Sequence, residues 1–419
     1  MSYVSRVLAV ILLVIVALLP LHSPGTSDVE YWMNWIEVIE RDGFIAGYVP
    51  IYPPMVWVLL QGVVLSSHAL NIEMFLAVKG SLVIFLLLTS AVFLLWTRNL
   101  LLTAFLHLSL VLSSVALGYL DIWLTPTILL AFWALKERKF FLFTVFFTIS
   151  SLIKQTPWLL APFLIVYIIR ETGGIKQWKA TLIVLLRDVV LPAGVLVGAM
   201  ALAFGERILE PVRVAASHTS LSANALNYNW LVTYYLLLTQ PDRFGSIDGV
   251  GGVFGYSEVT QWSAADWPIV GIPRILFALF YLGALLVFLR RSNSFDNLVR
   301  FTIVGYLAYC IFNIGVHENH FFLAGFLAFV LCWANPRDIY TTLILALMAN
   351  INLFMFYGIT GGDYAYDRQI GMDITVPLAL FNVIFFLVFW ATTCWRENPD
   401  SKADVLGQSE LDRAGVVTN

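Results

Sequence analysis

The sequence predicts an all-α polytopic membrane protein of about twelve transmembrane helices, with further helices lying on one membrane surface. Three observations carry this expectation. Of 419 residues, 60% are hydrophobic and only 12% are charged, so lipid rather than water is the solvent for most of the chain. Apolar runs long enough to cross a bilayer recur along nearly the whole length. Lys and Arg gather in alternate loops, as orientation in a membrane requires.

The apolar runs fall at 4–22, 72–97, 100–118, 121–136, 139–154, 157–170, 181–204, 271–290, 300–316, 320–335, 338–357 and 373–395. A crossing needs roughly 17 to 25 residues, so 139–154 and 157–170 are short, and one of them is expected to be broken or tilted. The first run has the form of a signal peptide. Leu21-His22-Ser23 is a poor cleavage site, however, so the run is read as a retained helix whose Arg6 marks the cytoplasmic side.

Propagating from Arg6 places Arg98-Asn99, Lys136 to Lys139, Arg170 to Lys179, Arg290 to Arg300, Pro336-Arg337 and the tail after Arg396 on that same side. With Arg6 these segments hold about 15 of the 24 Lys and Arg. The other side receives 23–71, 118–120, Lys154 to Thr156, 205–270, 317–319 and 358–372. Counting Ile51 to Leu70 as a crossing would invert every later loop, so it is read as an interfacial or re-entrant helix started by Pro53-Pro54. The chain then divides into a membrane module at 1–335 with external loops 23–71 and 205–270, further helices at 336–396 with external loop 358–372, and a polar tail at 397–419 expected to be a disordered cytoplasmic end.

A net charge of −3 provides no basic surface of the kind that binds nucleic acid. Cys310, Cys332 and Cys394 lack metal-ligand spacing. Aromatic residues reach 15%, which suits interfacial belts and permits a groove for an apolar ligand.

Chemistry concentrates in the external segments. Ser27-Asp28-Val29-Glu30 puts two carboxylates just past the first helix, where Asp28 could act as a general base toward a hydroxyl or simply cap the next helix. His317-Glu318-Asn319-His320 sets four polar residues between two apolar runs. They suit phosphate or sugar recognition, metal ligation, or merely a tight polar turn; the zinc spacing of two His four apart on one helix is absent. Lys154 lies beside Gln155-Thr156-Pro157 on the side where topology requires no cation; it could contact an anionic phosphate or snorkel to headgroups. In Asn224 to Trp230, Asn227 and Trp230 offer hydrogen bonds and a flat apolar face of the kind that holds a sugar ring. Arg207, Arg213, Arg243 and Arg368 are external guanidinium candidates for a phosphate.

Taken in order, Asp28-x-Glu30 after the first helix, Tyr52-Pro53-Pro54, Lys154-Gln155 before an apolar helix, the Asn-Trp segment and His317-Glu318 resemble the family C (GT-C) membrane glycosyltransferases over roughly residues 1–335. The similarity is to dolichyl-phosphate-glucose-dependent glucosyltransferases that extend lipid-linked oligosaccharides, and to prokaryotic mannosyltransferase relatives. It implies a polyprenyl-phosphate-sugar donor, a lipid-linked glycan or cell-envelope acceptor and a bilayer as partners, with a prokaryotic plasma membrane favoured over the endoplasmic reticulum. Asp28 would be the base, Glu30 its neighbour, and Tyr52 to Pro54 the shape of the loop. His317, Glu318 and Lys154 would hold the donor phosphate. The implied reaction is one inverting displacement without a cofactor, a divalent ion on Asp28 and Glu30 being the disfavoured variant.

Two departures stand out. Asn319 occupies a place where related glucosyltransferases tend to have Lys, leaving His320 or an external Arg as substitutes, and Gly118-Tyr119-Leu120-Asp121 differs at its second position from a Gly-Gln-x-Asp-like turn. A transporter or lipid flippase is the alternative reading; it should place ionisable groups near the membrane midplane, where only Lys79 and the Arg187-Asp188 pair fall within runs.

Overall fold

In the computed structural model of the chain, residues 3–216, 220–244, 267–361 and 374–395 are described. They form an almost wholly helical structure, with one short parallel pairing of Ser222–Ala223 against Val316–His317. The tail at 397–419, His218 and the loop residues from Gly362 to Arg368 lie outside the described residues.

Among the described residues, six helical segments are long and apolar enough to cross a membrane: Met74–Thr97, Gly174–Ala215, Trp267–Phe288, Phe295–Phe312, Pro336–Tyr357 and Thr375–Trp395. Five more apolar helices are shorter: Val7–Leu18, Pro54–Leu70, Leu100–Ala116, Phe140–Ile153 and Glu318–Ala334. Most boundaries sit close to the apolar runs. The clearest exception is the run expected at 181–204, which lies within the longer helical segment Gly174–Ala215; Phe295–Phe312 also begins five residues before the expected 300, because the Ser294 side chain accepts from Asn297 N at 3.4 Å and caps the helix ahead of its first apolar stretch. The expected run at 157–170 opens as a 3₁₀ turn, Thr156–Leu160, before the α-helix Ala161–Glu171.

The loops sort into two poles. At one, Arg138 pairs with Glu171 at 2.5 Å, and Asn293 Nδ2 donates to Glu171 at 2.7 Å. There too Arg291 donates to the Cys394 carbonyl at 2.5 Å, Arg300 pairs with Asp338, and the Lys136 ammonium sits 4.0 Å from the Trp333 ring centroid. At the other, Lys154 meets Asp121, Tyr119 meets Glu318, and Thr26 N donates to Leu117 O at 2.8 Å. The Phe140–Ile153 helix joins them, with Lys139 before its first residue and Lys154 after its last. Loops assigned to a common side by their charge therefore meet one another.

Pro54–Leu70 does not carry the chain between poles. Trp57, in its first turn, donates to Phe44 O at 2.7 Å, and His68, in its last, lies 2.9 Å from Glu40, so both ends rest on the segment that precedes it in the chain. Lys79 is fully buried and donates to Val115 O at 2.7 Å, Ala116 O at 3.0 Å and Ser23 Oγ at 3.2 Å. Its three donors are thus filled by the end of the π-helical turn Leu112–Ala116 and by the loop after the first helix. The lysine fastens this second pole; it does not line a path through the bundle.

Candidate functional site

Four turns from distant parts of the chain meet at the second pole, where Lys154 meets Asp121. The first is Gly25 to Asp28, leading into the helix Asp28–Asp42. Gly118 to Asp121 is the second, leading into the 3₁₀ turn Leu120–Leu124. Lys154 to Thr156 and His317 to His320 complete the set. Glycine makes the first two compatible. Gly118 adopts φ +83°, and a Cβ there would stand 2.3 Å from Val29 Cγ2; one on Gly25, at φ +80°, would stand 2.5 Å from the same atom. Trp32 then donates its indole N–H to Gly118 O at 3.0 Å, locking the Asp28 helix onto the second turn.

Asp28 occupies the first position of its helix, half-buried at the rim. The Ser27 side chain makes no capping hydrogen bond, and the Asp28 carboxylate accepts none from a described residue, so capping does not explain the pair. Burial pushes the Asp28 carboxyl from 3.8 up to about 6; Lys154 pulls it down and Asp121 pushes it up. Glu30 points elsewhere and is exposed. Residues two apart on a helix face nearly opposite directions, so the two neighbouring carboxylates of the sequence are separated by the helix that holds them.

At the floor, Lys154 Nζ lies 2.6 Å from Asp121 Oδ1, with both side chains under a tenth exposed. The Asn319 amide donates to Asp121 Oδ2 at 3.4 Å, while its buried Oδ1 has no hydrogen-bond partner among the described residues. Tyr119 donates its hydroxyl to Glu318 Oε1 at 2.7 Å. Burial and the neighbouring Asp28 push the Glu318 carboxyl from 4.5 up to about 7, against the pull of the Tyr119 hydrogen bond. The ring of Tyr52 lies 5.9 Å from the Lys154 ammonium, and burial together with Asp121, Asp28 and Glu318 holds its phenol well above the ordinary range.

The His317–His320 turn is built by reciprocal capping: the His317 side chain accepts from the His320 backbone, and His320 Nδ1 accepts from His317 N at 3.3 Å. Asn352 steadies it from below, donating to Glu318 O at 3.1 Å while its Oδ1 accepts from Leu226 N at 2.7 Å.

The other candidates divide. Arg207 donates to Ala46 O at 3.3 Å and stands 5.3 Å from the Tyr48 ring, and Tyr48 in turn donates to Tyr52 O at 2.7 Å, so Arg207 touches the site only through the first external loop. Arg213 pairs with Glu210 on the surface, Arg243 lies 4.7 Å from the Phe244 ring, and Arg368 lies outside the described residues. Trp230 is buried, donating to Thr375 Oγ1 at 2.9 Å. Asn227 is fully buried; its Oδ1 caps the helix Tyr228–Thr239 through Trp230 N at 3.1 Å, and its Nδ2 donates to Cys310 O at 2.9 Å. Its side chain is committed to architecture. Asn227→Ala removes a cap and orphans a buried carbonyl, and should cost about 2 kcal/mol in detergent unfolding. A variant that unfolds like wild type would show the cap to be dispensable.

Asp121, Tyr119 and Asn319 stand in motifs that the sequence singles out, Gly118 to Asp121 and His317 to His320, but the sequence assigns their side chains no role of their own in the site. Among the described residues no three His, Cys, Asp or Glu side chains gather in a metal-holding arrangement. No protein-family model matches the chain, and no curated protein matches it.

Proposed function

We propose that this chain is a polyprenyl-phosphate-sugar-dependent glycosyltransferase that transfers a hexose to a hydroxyl of a lipid-linked glycan or cell-envelope acceptor on the non-cytoplasmic face of a membrane. The observation that carries the reading is the convergence of one half-buried carboxylate, Asp28, which accepts no hydrogen bond from a described residue, with a buried lysine, Lys154, at one pole of a membrane protein. In this reading the shorter apolar helices other than Pro54–Leu70 also cross, as do the runs at 121–136 and 157–170, giving about twelve spans, and the pole rich in Arg and Lys faces the cytoplasm. Donor and acceptor then meet at the opposite surface, with the donor's isoprenoid in the lipid.

Asp28 accepts the proton of the acceptor hydroxyl as its oxygen bonds to C1 of the sugar. The C1–O bond to phosphate breaks in the same step, its electron pair leaving with polyprenyl phosphate, and the anomeric centre inverts. A carboxylate whose proton affinity has risen toward neutrality is a stronger base than a solvated Asp, which suits this task. Lys154, with two ammonium hydrogens beyond the one directed to Asp121, is positioned to meet oxyanions of the leaving phosphate.

Release of polyprenyl phosphate by the purified chain, measured over a panel of polyprenyl-phosphate hexoses with a crude lipid-linked glycan acceptor, tests the reading. Turnover of one donor is expected. Saturable binding of the carrier with no transfer from any donor would sink the enzyme reading in favour of carrier translocation.

The pH dependence has a definite sign. Asp28 must be ionised, so kcat/KM should fall as pH drops through about 6. Stability moves the other way. Asp28 and Glu318 bind protons more tightly in the fold than their ordinary values of 3.8 and 4.5, so the folded state holds more protons than the unfolded chain across the window up to about 6 and about 7. Stability should therefore decline with rising pH over that window while activity climbs. Parallel curves for rate and for Tm would contradict both assignments.

A further inference from the structure

We propose that Asp121 is a positioning residue for Lys154, holding the lysine ammonium at the floor of the site so that it meets the donor phosphate and stays off Asp28. The inference rests on the glycosyltransferase reading for the identity of the phosphate, and on geometry alone for the clamp.

Three carboxylates, Asp28, Asp121 and Glu318, lie around the ammonium of Lys154. A four-carbon stem lets a lysine choose among acceptors unless something selects one for it. Here the selection is built in. Lys154 follows the Phe140–Ile153 helix in extended backbone, φ −145° and ψ 140°, which releases its side chain from the helix surface. Asp121 comes from the rigid turn Leu120–Leu124, and its second oxygen is held by Asn319. Glu318 is occupied by Tyr119.

Were Asp121 neutral, the nearest remaining carboxylate free to attract the ammonium would be Asp28. The base would then spend its charge on an ion pair instead of the acceptor hydroxyl. Asp121 thus separates a cation for the leaving group from an anion for the nucleophile within one desolvated space.

The groups that act on Asp28 are Tyr52 from the first loop, Tyr119 and Asp121 from the second turn, Lys154 from the third, Glu318 from the fourth, and Tyr357 from the end of the Ile339–Tyr357 helix. Of these, Lys154 lowers the proton affinity of Asp28 and Asp121 raises it. Removing either charge should therefore move Asp28 in opposite directions.

A hydrophobic carbodiimide labels only protonated carboxyls, and peptide mass spectrometry of the full chain in detergent then reads the Asp28 midpoint without requiring turnover. In wild type it should lie near pH 6. Asp121→Asn should lower it by about one pH unit, Lys154→Met should raise it by about one, and the double variant should return toward wild type. Transfer by Asp121→Asn and by Lys154→Met should fall at least about tenfold each, the double variant no further than the worse single, as for residues that act as a unit. Asp121→Glu should recover part of the loss.

Identical midpoints in all four proteins overturn the clamp. Shifted midpoints with wild-type turnover by Asp121→Asn overturn the positioning role and leave the glycosyltransferase reading intact. Shifted midpoints in a wild-type chain that moves no sugar uphold the clamp and remove that reading.

Discussion

Asp28→Asn should lose about a thousandfold in transfer rate while still binding the donor. General-base catalysis contributes roughly 10² to 10⁴ in rate, and among the described residues no other ionised carboxylate is placed to replace Asp28. Glu318 carries the Tyr119 hydroxyl, Asp121 carries Lys154, and Glu30 faces away in solvent. The substitution should leave the fold intact, because the Asp28 carboxylate accepts no hydrogen bond from a described residue and its ionised form is disfavoured by burial. Removing that cost should hold Tm level or raise it slightly, so lost turnover cannot be blamed on unfolding. Glu30→Gln is the internal control and should stay within about twofold of wild type, since surface substitutions away from such features are nearly neutral. Wild-type turnover by Asp28→Asn would end the mechanism, and the base would be sought at Glu318.

Gly118→Ala should be the most damaging single methyl group at the external pole. At φ +83° an L-residue is strained, costing roughly 1–2 kcal/mol, and the new Cβ would lie 2.3 Å from Val29 Cγ2, an overlap of the kind that costs about 1–3 kcal/mol. Together about 3 kcal/mol is expected, measured as lowered resistance to thermal unfolding in detergent. The damage is directional as well. Val29 follows Asp28 in the chain, and Trp32 on the next turn is anchored to the Gly118 carbonyl. Relief of the clash tilts the helix that presents the base, so activity should fall by more than the unfolded fraction accounts for. Gly62→Ala, in the exposed middle of Pro54–Leu70 with nothing within 4 Å of the new Cβ, should instead stabilise by about 0.5–1 kcal/mol. Equal effects from the two substitutions would show that the close approach at Gly118 is not what holds the site.

Some of this site was legible in the chain. Asp28, Lys154, Glu318 and Tyr52 stand out because a charged or polar residue beside an apolar run needs a reason, and the reason is local. Asn227 and Trp230 were equally visible and proved to be architectural. Sequence spacing does not report whether an amide points toward a ligand or caps its own helix, as Asn227 does through Trp230 N. Asp28 and Glu30 show the converse error: adjacency in sequence became separation on a helix.

By itself, then, the sequence determined what is set by solvent and by one-dimensional charge: a helical membrane protein, the approximate limits of its apolar runs, and the sorting of its loops into two groups. All three follow from transfer of side chains between water and lipid, which each residue reports individually. Only the tertiary structure decided that Asp121 grips Lys154 across 33 residues of chain, that Tyr119 reaches Glu318 across 199, and that two glycines let those turns close on Val29. Such contacts depend on how helices pack against one another, a property of pairs of surfaces that no single segment carries.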